Sequence, residues 1–387
     1  MVTPLIYCKE AQCYYHINLK GPSPLPEPSL EIFRTFFVII VDVGCIFTEG
    51  KVGAIMVFKV AVIGGGVVGI TSAVVIAENL PDVEVTVISD KWSPDTTGDG
   101  SAGFWCPYLL GDVPPEVLRE WCQISFQTFH DIYKSPLAVE YGVGLFSVYY
   151  LYSTPEEIPD YHDVYLHHRP LTKKELSLFP RRFQYGFFLT TFFAECSKFL
   201  PALMKRIQKK GGRIIEKKVE SLSELAGKYD AVINCSGIGA RTLVPDPEVI
   251  PVRGQVMRVH APWIKHGVIA DNDYYVLPNA DEIILGGTHQ EGDWNTQVDP
   301  VDRRNIWEGC VELLPCLKDA TILRDWVGLR PYRSTPRIDR EVLNTEKGEI
   351  KVIHNYGHGG CGVTLSWGCA HYVLRLLRET LEISSHL

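Results

Sequence analysis

The sequence predicts an α/β fold: a parallel sheet with helices, overlaid by a second, sheet-rich (α+β) region. Three observations predict it. A β-branched run near residue 57 ends in glycines and gives way to helical and then alternating patterning. Later apolar runs again end in glycine turns, as strands of open α/β sheets do. Between them lie two stretches rich in Tyr, Phe and Pro, at 106–195 and 251–339, with short apolar runs suited to antiparallel strands.

The elements follow in order. Val57 to Ile63 reads as a buried strand bounded by glycine. Gly64-Gly65-Gly66-Val67-Val68-Gly69 comes next, and Ile70 to Leu80 then reads as a helix. Val83 to Ile88 alternates as a second strand and completes a βαβ unit. A helix over Cys196 to Lys210 stops at Gly211-Gly212 and feeds the strand Arg213 to Glu216. Ala231 to Cys235 is a further strand, ending in Ser236-Gly237. Val276-Leu277-Pro278 and Ile283 to Gly287 suggest antiparallel strands, and Ala370 to Leu381 an amphipathic C-terminal helix. This plan puts 56–105, 196–250 and 340–387 in the α/β part, and 106–195 and 251–339 in the second part. Residues 1–55 form an extension expected to be poorly ordered. Each proline of Gly21-Pro22-Ser23-Pro24-Leu25-Pro26-Glu27-Pro28 removes a backbone donor.

Composition narrows the function classes. With 46% hydrophobic and 22% charged residues, the 387-residue chain can bury a full core. A net charge of -8 argues against nucleic acid as a partner. No apolar run reaches the roughly 18–20 residues that span a bilayer, so no membrane partner is expected. The nearest run, Phe36 to Val41, is interrupted by Asp42 and reads as a poor signal-like segment or a strand. The eleven cysteines form no C-x-x-C pair, which argues against a metal site and against a disulfide framework. Reduced thiols of an intracellular compartment are the better reading.

Gly64, Gly66 and Gly69 fit G-x-G-x-x-G between a strand and a helix. That spacing allows a tight turn, close approach of a pyrophosphate, and close helix–strand packing, with the phosphates at the helix N-terminus. A glycine-rich loop alone is often only a turn; the βαβ setting gives it weight. Asp90, after the second strand, is placed to bond an adenosine ribose, or is simply a strand-end turn acid. Neither feature separates a flavin from a nicotinamide dinucleotide.

Four segments do separate them. They are Ser93-Pro94-Asp95-Thr96-Thr97-Gly98-Asp99-Gly100-Ser101-Ala102-Gly103-Phe104, Pro251-Val252-Arg253-Gly254-Gln255, Gly328-Leu329-Arg330-Pro331-Tyr332-Arg333, and His354-Asn355-Tyr356-Gly357-His358-Gly359-Gly360-Cys361-Gly362-Val363-Thr364. Together they resemble the D-amino-acid oxidase family, from about Met56 to the C-terminus. The resemblance implies a Rossmann-like FAD-binding domain and a sheet-rich substrate domain, with FAD as cofactor. It implies adenosine-side contacts at Asp90 and Lys91, and pyrophosphate or flavin contacts at Thr96, Thr97, Gly103 and Phe104. Val219, Ser236, Gly359, Gly360, Cys361, Gly362, Val363 and Thr364 fall on further FAD-contacting positions. Arg330 matches the arginine that holds the substrate α-carboxylate, and Tyr275 and Gly360 match substrate-contacting positions. The reaction implied is hydride transfer from a small D-amino acid to flavin N5, with no catalytic side chain. The resulting imino acid hydrolyses to a 2-oxo acid and ammonia, and molecular oxygen becomes hydrogen peroxide.

The family divides into enzymes for neutral and for acidic substrates. Gly286 to Asn295 and Pro94-Asp95-Thr96-Thr97 look more like the acidic branch, with neutral D-amino acids as the alternative. Cys106 and Asp271 stand where the neutral branch carries other residues. An acidic substrate needs a second cationic group; His289 is the candidate, with Lys265, His266 and Arg333 as others. The terminal Ser385-His386-Leu387 is close to a peroxisomal address, which implies a peroxisomal import receptor as partner. Secretion through the apolar N-terminal segment is the alternative. A nicotinamide-dependent dehydrogenase would explain the glycine loop but not the His354–Thr364 segment. A non-catalytic flavin-fold protein would not explain Arg330 with Tyr275. The oligomeric state is not legible.

Overall fold

The structure, a computed structural model, describes residues 57–108 and 110–383, together with two short strands, Leu5–Cys8 and Cys13–His16. Those two strands pair antiparallel; the rest of the extension expected to be poorly ordered lies outside the described residues. They fall in a separate compact unit, Met1–Ala54; the second unit runs from Ile55. Among the described residues, no helix is long and apolar enough to cross a membrane.

The second unit holds two sheets. The smaller has six strands in the order Arg340–Thr345, Gly348–His354, Ala231–Asn234, Phe58–Ile63, Val83–Ser89, Arg213–Glu216. All of its pairings are parallel except that between the first two strands. Its central strand buries Val60, Ala61 and Val62 completely, so a continuous apolar run is what this position demands. The helix Val67–Asn79 packs on it and against the C-terminal helix Gly362–Thr380. Ile70, Val74 and Ile76 are fully buried there, each contributing about 1.5–3 kcal/mol.

The larger sheet has ten strands and is mainly antiparallel. Its path runs Tyr356–His358, Thr321–Arg337, Ile250–His260, Ile283–Gly286, Tyr274–Pro278, Gly267–Ala270, Val143–Tyr152, Tyr185–Ala194, His167–Pro170, with Gln290–Glu291 beside Ile250–His260. Tyr356–His358, which the sequence plan kept with the smaller sheet, pairs here with Thr321–Arg337. Three helices also differ from the plan. The sheet-rich stretch after residue 106 contains the 19-residue helix Pro115–Tyr133. Pro300–Leu313 is a second unanticipated helix. The C-terminal helix starts at Gly362, eight residues before the predicted Ala370. Its first turns, Val363 to Ala370, are buried on every side and carry no amphipathic stripe to read.

Candidate active site

The first strand delivers the chain into the glycine loop. Gly64 has φ +115°, and a Cβ there would lie 2.3 Å from the Cys235 carbonyl oxygen. A Cβ on Gly69 would lie 2.1 Å from the Gly64 carbonyl oxygen. Both positions require glycine, one for conformation and one for close packing. Gly66 is different: a Cβ there meets nothing within 4 Å. It caps the helix Val67–Asn79 without a side-chain hydrogen bond, and the first turn has no acid. The helix therefore presents uncapped N–H groups to open space, which suits a pyrophosphate.

That space is a cavity of about 780 Å³. Asp90, Lys91 and Val219 line it side by side, because Lys217 N donates to Ser89 O at 2.8 Å where the two strands end. Gly64, Gly66, Ser236, Thr96, Thr97, Gly103 and Phe104 line it further along. Asp99 fixes the hydroxyl loop, accepting from Thr96 N at 3.0 Å, Thr96 Oγ1 at 2.6 Å and Ser93 Oγ at 2.6 Å. Thr97 Oγ1 donates to Leu329 O at 3.3 Å and ties this loop to the strand carrying Arg330. A nucleotide-sized slot with uncapped N–H groups and an acid beyond the second strand fits FAD.

Gly359, Gly360, Gly362 and Val363 also line the cavity; Cys361, Thr364 and Gly69 do not. Cys361 is fully buried; its Sγ accepts from Tyr108 N and donates to Tyr108 O, each at 2.6 Å. Thr364 Oγ1 accepts from Cys106 N at 3.2 Å and donates to Cys106 O at 3.0 Å. These two residues stand behind the wall and staple Cys106–Tyr108 to the C-terminal helix.

Tyr275, His289 and Arg330 line the same cavity. Arg330 Nη1 donates to Thr288 O at 2.9 Å, and the residue after that anchor is His289, exposed on the cavity wall. Burial raises the Tyr275 phenol pKa against the opposing pull of the Arg330 charge, so the phenol stays protonated. The other cation candidates are elsewhere. Arg333 is committed to Asp246 at 3.0 Å and Glu248 at 3.2 Å. The His266 ring packs against Tyr149, 6.0 Å between centroids, and neither it nor Lys265 lines the cavity. Asp271 holds a turn, accepting from Ser153 N at 2.8 Å and Ser153 Oγ at 3.1 Å.

Sequence reasoning missed the wall beyond Tyr275. Tyr150, Ile269 and Tyr275 lie in one row across three adjacent strands, and all line the cavity. Cys106 Sγ lies 3.1 Å from Tyr150 Oη and accepts from Tyr165 Oη at 3.7 Å. Burial raises the pKa of the thiol and of both phenols. His168, also on this wall, is pushed down by burial and by His162 and His167. This lobe is aromatic and carries hydroxyls and a thiol held neutral. Tyr150, His168, Ile269 and Tyr275 come from four different strands and Cys106 and Tyr165 from outside them, so no pattern within one strand could have found this wall.

Fold and site together define a flavin-dependent oxidoreductase. The profile of the FAD dependent oxidoreductases matches residues 59–376, and the chain belongs to this family, the D-amino-acid oxidases. It is 41% identical to human D-aspartate oxidase over 327 residues, covering 84% of this chain and 96% of that protein. It is 38% identical to a D-amino acid oxidase of Dugesia ryukyuensis, covering 83% and 98%. D-aspartate oxidase 1 of Caenorhabditis elegans is 35% identical, covering 84% and 98%. Glycine oxidase from Geobacillus kaustophilus shares the fold, with a TM-score of 0.68 at 18% identity, covering 85% and 96%. The chain is accordingly an FAD-dependent enzyme.

Proposed function

We propose that the chain oxidatively deaminates an acidic D-amino acid, D-aspartate or D-glutamate. One D-amino acid, one oxygen and one water give one 2-oxo acid, one ammonia and one hydrogen peroxide. The observation that carries this reading is the arrangement of Arg330, Thr288 and His289. Thr288 O fixes the guanidinium, and the next residue sets an imidazole on the same cavity. Arg330 holds the α-carboxylate through its planar fork, with Tyr275 beside it. His289 offers a ring N–H to the side-chain carboxylate. The likeness to D-aspartate oxidases of human and nematode supports the same reading.

FAD, held along Gly64, Gly66, Thr96, Thr97, Gly359 and Gly360, would supply the hydride acceptor and the route of the electron pair to oxygen. The work of the chain is to hold the substrate Cα in register. Cys106, Tyr150 and Tyr165 stay protonated through burial, so none of them serves as a general base. A substrate amine bound in its neutral form needs none.

Hydrogen peroxide release from FAD-loaded protein tests the reading, with D-aspartate, D-glutamate, D-alanine, D-methionine and L-aspartate compared. Preference for the two acidic D-substrates is expected. Preference for D-alanine or D-methionine would overturn the substrate while keeping the reaction. The aromatic lobe around Cys106 and Tyr150 favours that second reading, since the thiol and phenols described there are all uncharged.

We also propose a peroxisomal location, with Ser385-His386-Leu387 recognised by an import receptor. This tripeptide lies outside the described residues. A tagged chain starting at Met56 should lose its punctate location when the last three residues are removed. An unchanged location would reject the address.

A further inference from the structure

Gly254 and Arg330 lie on neighbouring strands of the larger sheet. Gly254 pairs directly with Gly328, so Arg330, two residues on, sits on the same face as Gly254's diagonal neighbour. The arginine side chain crosses that diagonal and lies on the glycine. A Cβ at position 254 would come within 2.5 Å of Arg330 Nη1, 2.6 Å of Cζ and 2.6 Å of Nη2. The three atoms nearest to it all belong to the guanidinium. Both residues line the cavity, and Gly254 belongs to a strand whose residues 251–259 are all buried. The same device recurs beside it: a Cβ on Gly286 would lie 2.1 Å from Tyr275 Cζ.

We propose that Gly254 is a positioning residue for substrate, the bare backbone on which the Arg330 guanidinium rests. Its missing side chain sets the height of the fork above the sheet. The strand needs no glycine for its conformation, since Gly254 has no positive φ. The proposal rests on the reading of Arg330 as the holder of the α-carboxylate. The guanidinium is the free end of a flexible side chain, so an added methyl lifts the fork and leaves the strand pairing in place.

The test is a double-mutant cycle on FAD-loaded protein. Gly254→Ala and Arg330→Lys are made singly and together. Malonate binding is read from the change in the flavin visible spectrum, and KM and kcat from peroxide release with D-aspartate. Gly254→Ala is expected to weaken malonate and raise KM by roughly 10- to 100-fold, with a smaller effect on kcat. In the Arg330→Lys background the same substitution should cost twofold or less, because the planar fork is no longer there to be lifted. Equal losses in both backgrounds would overturn the role of Gly254 and leave Arg330's intact. An Arg330→Lys variant that binds malonate normally would instead overturn the reading of Arg330. Should Gly254→Ala alone fail to fold, the pair Gly254→Ala with Arg330→Met decides. It should fold as well as Arg330→Met, and its failure would place the clash in the strand pairing and end the proposal.

Discussion

His289 and Arg330 make different demands on a substrate, and substitution separates them. His289→Leu should raise KM for D-aspartate by roughly tenfold or more, the worth of a lost hydrogen bond to a charged group. KM for D-alanine should stay within twofold; equal effects on both substrates would remove His289 from the side-chain pocket. His358 carries a pH signature. It is 2% exposed, and burial holds its pKa at about 4, against 6.5 for a free imidazole. Unfolding restores the free value, so between those limits the unfolded chain binds a proton that the folded chain does not. Stability is therefore lost as pH falls from about 6.5 towards 4, by at most about 3 kcal/mol from this group. Urea unfolding at fixed FAD concentration should display that loss, and His358→Gln should reduce it, leaving the part due to His168, His354 and His371, which burial also lowers. At this scale the motifs located Arg330, Tyr275 and His289 on the cavity. They could not say which way Cys361 and Thr364 face. Each step along a helix turns the side chain by about 100°, so Gly362 and Val363 meet the cavity while their neighbours turn to Cys106–Tyr108.

Gly368, inside the C-terminal helix, lets that helix touch Pro115–Tyr133. A Cβ at 368 would lie 2.4 Å from the Trp121 Cα and 2.4 Å from its carbonyl oxygen. Gly368 N also donates to Ser125 Oγ at 2.9 Å. Backbone cannot yield as a side chain can, so Gly368→Ala should destabilise by roughly 1–3 kcal/mol or more. Denaturant unfolding measures it, and a neutral result would mean that the helices can separate freely. Four of the six strands of the smaller sheet were legible, the central ones because parallel strands read as continuous apolar runs near glycines; Arg340–Thr345 and Gly348–His354 were not, since their exposed, charged positions break any apolar run. The two helices of the other part were not. Pro115 at a helix start looks like a loop signal, although the stripe Trp121, Cys122, Ser125, Phe126 and Phe129 has helical spacing.

The chain passes back and forth between its two sheets, and one core cluster takes residues from both, including Val60 and Ile353 of the smaller and Val148 and Leu277 of the larger. Both sheets should therefore unfold together. Flavin fluorescence and far-ultraviolet circular dichroism should give coincident thermal transitions, shifted upward by FAD. At a free FAD concentration of 100 Kd the added stability is about 2.7 kcal/mol. Separate transitions would show that the sheets hold independently.

The parallel neighbours of Ala231–Asn234 are Phe58–Ile63 and Gly348–His354, one early and one late in the chain. A ribosome adding roughly 5–20 residues per second makes the first of these partners on the order of ten seconds or more before the last. Until Gly348–His354 emerges, one side of Ala231–Asn234 is an unpaired edge, and the Gly359–Val363 wall of the cavity does not yet exist. Newly made protein thus has a vulnerable interval in which an apolar strand edge is open and FAD has no complete slot to enter, an interval best covered by a chaperone.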